Sequence, residues 1–170
     1  MPEIVEVMQW TDLIIFDYIT GNYDRIASNQ DAAEKEHIPE ILADNIHNLR
    51  RDKQTNTIWL IDNESGFLDG YELMRNPKKS AEAKRFISFH KQMLNSICIF
   101  RKSTIRNLNK LHFHGNPAEM LLSEVHRHEP LSDFLPKIPE KLKFHETMKS
   151  RISDVYDRVQ LCKRRFRRSE

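Results

Sequence analysis

The sequence predicts a mainly α-helical protein with one short strand or hairpin. Three observations carry that reading. The 170 residues hold only four glycines, too few for a β architecture that turns on glycine. Only one short run, Thr57 to Ile61, has strand character. In the last third, Met148, Ile152, Val155, Val159 and Cys162 recur at steps of four, three, four and three, the stripe of a helix with one buried face. The length suits a single domain over 1–170, or one lobe of a larger domain, and can bury a real core. A formal net charge of +2 is too small to argue for a nucleic-acid partner.

Taken in order, Pro2 to Ile19 reads as helix, interrupted or bent near Trp10-Thr-Asp12, where Thr11 or Asp12 could cap a second segment. Leu13, Ile14, Ile15 and Phe16 are apolar on consecutive positions, so that part should be buried on most sides, yet the run is too short to cross a bilayer. No basic segment followed by an apolar run opens the chain at Met1. A lumenal protein would therefore carry its targeting segment upstream, with Met1 an internal start, a gene-model artefact or an artificial boundary. From Gln30 to Lys53 the chain is polar, with a helical patch at Ile38 to Ala43 in which Pro39 suits a first turn. Arg50 to Asn56 then reads as a solvated turn into the strand Thr57 to Ile61.

Gly70 to Lys84 is charged and loop-like, an exposed excursion. From Met93 a helical period returns through Ile97, Ile105, Leu108 and Leu111, and Pro117 opens another short helix with Met120, Leu121, Leu122 and Val125. The tail Lys163 to Arg168 reads as an exposed helix end, its cations at the negative pole of the dipole. The competing reading of that tail is a nucleic-acid binder. His112 with His114 and His126 with His128 lack the i, i+4 spacing that puts two imidazoles on one helix face, so packing or surface roles are expected for them rather than zinc. His37 and His47 read as surface residues.

Two stretches carry chemistry. Ile14 to Asn29 delivers Asp24, Arg25 and Asn29 after an apolar segment, and Ile58 to Phe67 delivers Asp62 after a short apolar strand. Phosphoryl transfer needs one carboxylate to receive a hydroxyl proton, and a second carboxylate with an amide to hold the cation that bridges the phosphates. The interval Asp24-Arg-Ile-Ala-Ser-Asn29 equals that of a kinase catalytic loop, and Asp62 sits after a strand as a kinase metal ligand does, with Gly66 following four residues on. The plainer alternative is that Asp24 caps a helix and Asp62-Asn63 makes a turn.

Phe16 to Arg25, Ile26-Ala-Ser-Asn29, Leu60-Ile-Asp-Asn-Glu-Ser-Gly66 and Ser96-Ile-Cys-Ile-Phe-Arg101 resemble the C-terminal half of the Four-jointed family, atypical kinases of the secretory-pathway lumen. His126 to Pro130 adds a further match; the likeness runs from about Trp10 to Arg164 and is thin between Leu73 and Leu94. The resemblance implies an atypical kinase C-lobe, with Asp24 as catalytic base, Asp62 as metal ligand and Asn29 as a second polar contact to phosphate or cation. Asp17 is left to structure. It also implies ATP as donor, Mn²⁺ or Mg²⁺ as the cation, and Ser or Thr of the extracellular cadherin repeats of Fat and Dachsous as acceptors. A part in planar cell polarity, in the Golgi lumen or after secretion, follows from the same likeness.

Kinases also need a smaller lobe with a Gly-rich loop and a Lys–Glu pair, and none is legible before Asp17. The chain alone should therefore be silent until joined to such a lobe. A non-catalytic protein-binding module is the competing reading. Asn63-Glu64-Ser65 is formally a glycosylation acceptor, expected to stay unused beside a metal site. Cys98 and Cys162 are the only cysteines, each placed inside or at the end of a predicted helix. A cytosolic protein would keep two distant thiols reduced, whereas an oxidising lumen could close them, and the resemblance favours the bridge.

Overall fold

The computed structural model describes residues 2–42, 46, 48–75, 81–132, 137–138 and 143–167. Among them are seven α-helices and one two-stranded hairpin. The chain divides into two compact units, Met1–Phe100 and Arg101–Glu170.

The first unit opens with helix α1, Pro2–Thr20. It runs without the expected break at Trp10 to Asp12, and Thr11 is buried within it. The helix ends in a Schellman motif. Asn22 N–H donates to the Asp17 carbonyl at 3.1 Å and Gly21 N–H to the Tyr18 carbonyl at 3.3 Å, with Gly21 at φ +71. Helix α2, Ile26–Glu36, follows after five residues, and His37 closes it in the left-handed conformation. A 3-10 turn covers Pro39–Leu42, starting at the proline where a first helical turn was expected; Ala43 and His47 lie outside the described residues.

Strands β1, Leu49–Arg51, and β2, Ile58–Leu60, pair antiparallel with Leu49 opposite Leu60. Arg50 and Arg51 thus belong to a strand, and the turn runs through Asp52, whose carboxylate accepts from the backbone of Gln54 and Thr55. The hairpin leans on α1. The Gln9 side chain donates to the Asn56 carbonyl and accepts from Ile58 N–H, and Arg51 pairs with Glu6.

The predicted excursion from Gly70 to Lys84 is mostly helix. Helix α3 spans Leu68–Arg75 and α4 spans Ala81–Ser96; the intervening Asn76-Pro-Lys-Lys-Ser80 lies outside the described residues. Polar composition hid the sparse apolar face of α4, in which Ala83, Phe86, Phe89, His90 and Leu94 are buried. This helix packs against α1, α2 and α3. Gly70 permits the last of these arrangements: a Cβ there would stand 2.3 Å from the Gly21 carbonyl oxygen, so α3 can sit against the end of α1 only without one.

The second unit is built from α5, Lys102–Phe113, α6, Pro117–His128, and α7, Phe144–Arg167. The helix expected from Met93 through Leu111 is therefore two helices, separated by a non-helical stretch from Ile97 to Arg101. Pro117 does open α6, with Asn116 accepting from Glu119 N–H at 3.1 Å as its cap. The α7 stripe is the core: Met148, Ile152, Val155, Val159 and Cys162 are all buried, against α5 and α6. His112 stacks face to face on Tyr156 at 4.0 Å, His126 meets the Ser132 hydroxyl, and His128 reaches Glu124. Lys163 to Phe166 are exposed on the last turns of α7, while Arg168 lies outside the described residues. Among the described residues no helix is long and apolar enough to cross a membrane.

Candidate active site

The turn between α1 and α2 sets the first half of the site. Once the Schellman motif has reversed the chain, the buried Asn22 side chain accepts the N–H of Asp24 at 3.1 Å, which fixes a tight Asx turn. His90 of α4 holds the same Asn22 through its carbonyl at 3.0 Å. Neighbouring residues then point in opposite directions. Asp24 is exposed, while Arg25 is 1% exposed, among the largest fully buried side chains of the described residues.

Burying a guanidinium is costly unless its donors are met, and here they are. Arg25 Nη1 pairs with the Asp17 carboxylate. Its Nε donates to the Asn48 carbonyl at 3.2 Å, and its Nη2 donates to the Ile61 carbonyl at 3.1 Å and to the Asn63 side-chain oxygen. Arg25 therefore grips the residues on both sides of Asp62. Asp62 itself is exposed and adopts φ +56, a left-handed conformation that aspartate tolerates better than most residues.

The second half of the site is thus delivered by the loop after β2, two residues past the strand rather than at its end. Glu64 joins it. Its carboxyl is raised above the usual range, first by a hydrogen bond with Asp62, then further by the charges of Asp62 and Asp24. Asp24 and Asp62 thus both lie within electrostatic reach of one exposed carboxyl group. Asn29 occupies the first turn of α2, half-buried, and the hydrogen bonds that join the two loops run through Arg25 and Asn48 rather than through it. Asp17 is buried, with Oδ2 left without a partner, and burial pushes its carboxyl up to about 7 against the pull of Arg25.

Asp62 and Glu64 are exposed carboxyl groups joined by a hydrogen bond, the hard oxygen donors that a divalent cation takes. Among the described residues no three His, Cys, Asp or Glu side chains are arranged to enclose one. Magnesium in phosphoryl-transfer sites is held by one or two carboxylates, the rest of its shell being phosphate and water, so Asp62 with Glu64 fits that demand. Sequence reasoning misses Glu64 and Asn48 as site residues: Glu64 reads as the middle of a glycosylation triplet, and Asn48 lies in a polar run without a pattern. The Asn63 amide of that triplet is engaged at both ends, with Arg25 and with the Leu60 carbonyl.

The sequence profile of the Four-jointed box protein middle domain matches residues 1–165. The chain is 30% identical over 164 residues to Four-jointed box protein 1 of Xiphophorus maculatus, covering 96% of this chain and 35% of that protein. It is 32% identical over 163 residues to a Drosophila melanogaster protein named extracellular serine/threonine protein kinase four-jointed, covering 95% of this chain and 26% of the relative. With mouse Four-jointed box protein 1 it shares 31% identity, across 98% of this chain and 34% of the relative. The chain thus spans about a quarter to a third of the length of these curated relatives. No solved structure matches it significantly. Matched over nearly its whole length by the profile and by these relatives, the chain belongs to the Four-jointed box family.

Proposed function

We propose that this chain carries the catalytic-base and metal-binding loops of a serine/threonine protein kinase with an atypical C-lobe. The observation that carries the proposal is the Arg25 clamp: one buried guanidinium holds both neighbours of Asp62 beside the turn that presents Asp24. In this reading Asp24 accepts the proton of the acceptor hydroxyl as that oxygen attacks the γ-phosphorus of ATP. Asp62, with Glu64 beside it, holds Mn²⁺ or Mg²⁺, which when bound neutralises charge on the transferring phosphoryl group. In the same reading Asn29 serves as a further polar contact to phosphate or cation.

The family adds the biological setting. A relative named as an extracellular kinase supports a protein of the secretory pathway, in the Golgi lumen or secreted. The proposed acceptors are Ser or Thr of extracellular cadherin repeats in Fat and Dachsous, and the proposed role lies in planar cell polarity. Because the chain spans only part of its relatives, the activity is assigned to the whole protein that contains it.

Transfer of labelled phosphate from ATP to a cadherin-repeat substrate, with Mn²⁺ present, tests the assignment. Asp24→Ala and Asp62→Ala should each lower kcat by at least about 100-fold. Unchanged transfer in both variants would remove the site and leave a protein-binding module as the better reading.

A further inference from the structure

Asn48, at the entry to β1, is the residue where the two loops of the site meet, and nothing in its sequence surroundings marks it out. It is 7% exposed and uses both ends. Its backbone carbonyl accepts from Arg25 Nε at 3.2 Å and from Ile61 N–H at 3.3 Å, which ties it to the loop of Asp62. Its side-chain Nδ2 donates to the Asp24 carbonyl at 2.7 Å and to the Asp24 carboxylate Oδ2 at 3.2 Å. One Oδ of Asp24 is thus engaged by a donor supplied at the entry to the hairpin, on a residue that is itself exposed.

We infer that Asn48 is a positioning residue for Asp24: its amide fixes the rotamer of that carboxylate, so that the hairpin and the loop of Asp62 set the direction in which Asp24 presents its free oxygen. The inference rests on the proposed role of Asp24 as base. An exposed aspartate has two side-chain torsions to lose, and a base acts only when its oxygen lies within hydrogen-bond reach of the hydroxyl it deprotonates. A neutral amide suits the task. It donates to the carboxylate without supplying a charge that would pair with it, and its second contact, to the Asp24 carbonyl, prevents the donor from following the carboxylate if that rotates. Because the Arg25 and Ile61 contacts use the Asn48 backbone, a side-chain replacement leaves the clamp on the loop of Asp62 in place.

The test is made in the full protein with Asn48→Ala and with the near-isosteric Asn48→Asp, which replaces the donor by an oxygen. Rates of labelled-phosphate transfer are measured across ATP concentration, and melting temperature is measured in parallel. Both variants should lower kcat by about 10- to 100-fold, as misplacement of a reacting group does, while KM for ATP stays within about twofold. In an Asp24→Ala background the same changes should cause no further loss, because the carboxylate they act through is gone. An unchanged kcat in Asn48→Asp, or a loss that persists in full without Asp24, overturns the inference. So does a fall in kcat matched by a rise in KM and a collapse of the melting temperature in both variants, which assigns Asn48 to the fold alone. A wild-type protein without transfer, or an Asp24→Ala variant that transfers normally, removes the proposed function as well; an active wild type with a dead Asp24→Ala and an active Asn48→Asp removes only this inference.

Discussion

Asp17 and Arg25 show how one buried pair can shape a site without taking part in its chemistry. Arg25 fills its donors with Asp17, Asn48, Ile61 and Asn63, yet Asp17 keeps one oxygen without a partner in a dry place. Burial raises its carboxyl from 3.8 to about 7, the Arg25 charge opposing the shift. A carboxyl raised in the fold holds its proton in the folded chain where the unfolded chain has lost it. The stabilisation is full below about 4 and is lost as pH rises to about 7. Asp17→Asn cannot titrate, so the stability of wild type relative to Asp17→Asn should decline between about pH 4 and pH 7 and level off above. Urea unfolding of both proteins across that range checks it; a difference that grows with pH would mean that the ion pair outweighs desolvation. At this scale the sequence showed the exposed acids better than their support. Asp24 and Asp62 are proposed from order and interval, which need no fold to be legible. Arg25 in a polar turn defaults to solvent, and only packing against Asp17 turns it inward. Asn48 could not be read at all, since its partner lies 24 residues away.

Between elements, α2 and α4 are joined by a mixed contact, apolar through Ala27, Phe86 and Phe89 and ionic through Asp31. Tyr23 stacks on Phe86 at 5.4 Å and extends the apolar part toward the turn that carries Asp24. Burial alone would raise Asp31, but Arg85 and then Lys35 bring it below the usual range. A carboxylate lowered in the fold contributes stability above its unfolded value and loses it as pH falls through the folded one. Asp31→Asn should therefore lower the unfolding free energy at pH 7 by about 1–2 kcal/mol, less than a fully buried pair because Arg85 is one-third exposed. The deficit should fade toward pH 3, and chemical denaturation at the two pH values measures it. A constant deficit at both would mean that packing, not charge, is lost. The same pair of helices marks where element-level reading failed. α7 repeats its apolar face five times without interruption, so its period stands out, whereas α4 buries Ala83, Phe86, Phe89, His90 and Leu94 among charges and begins beside a polar segment that reads as loop. The interruption expected in α1 is absent for a related reason: Thr11 and Asp12 are cap residues by type, but a threonine buried on a helix face is ordinary helix.

For the whole molecule, the cysteines decide how far the fold depends on its compartment. Cys98 lies two residues beyond the end of α4, and Cys162 lies on the buried face of α7. The bridge implied by the family resemblance would close about 64 residues of chain, and a loop of that length restricts the unfolded ensemble by about 4 kcal/mol on the chain-entropy account. That is a large share of the roughly 5–15 kcal/mol by which domains are usually stable. A protein matured under oxidising conditions should therefore show no thiol when titrated in denaturant without reductant. Reduction, or replacement of both cysteines by serine, should lower the unfolding free energy by about 4 kcal/mol and shift the denaturation midpoint accordingly. The two readouts separate two failures. Two thiols in denaturant would show that the bridge does not form; a closed bridge whose reduction costs nothing would show that the unfolded chain is already restrained between residues 98 and 162, so that the loop entropy was never there to lose. Only the outcome with both the bond and its stabilisation makes an oxidising compartment a physical requirement of this fold, independent of any activity at Asp24 and Asp62.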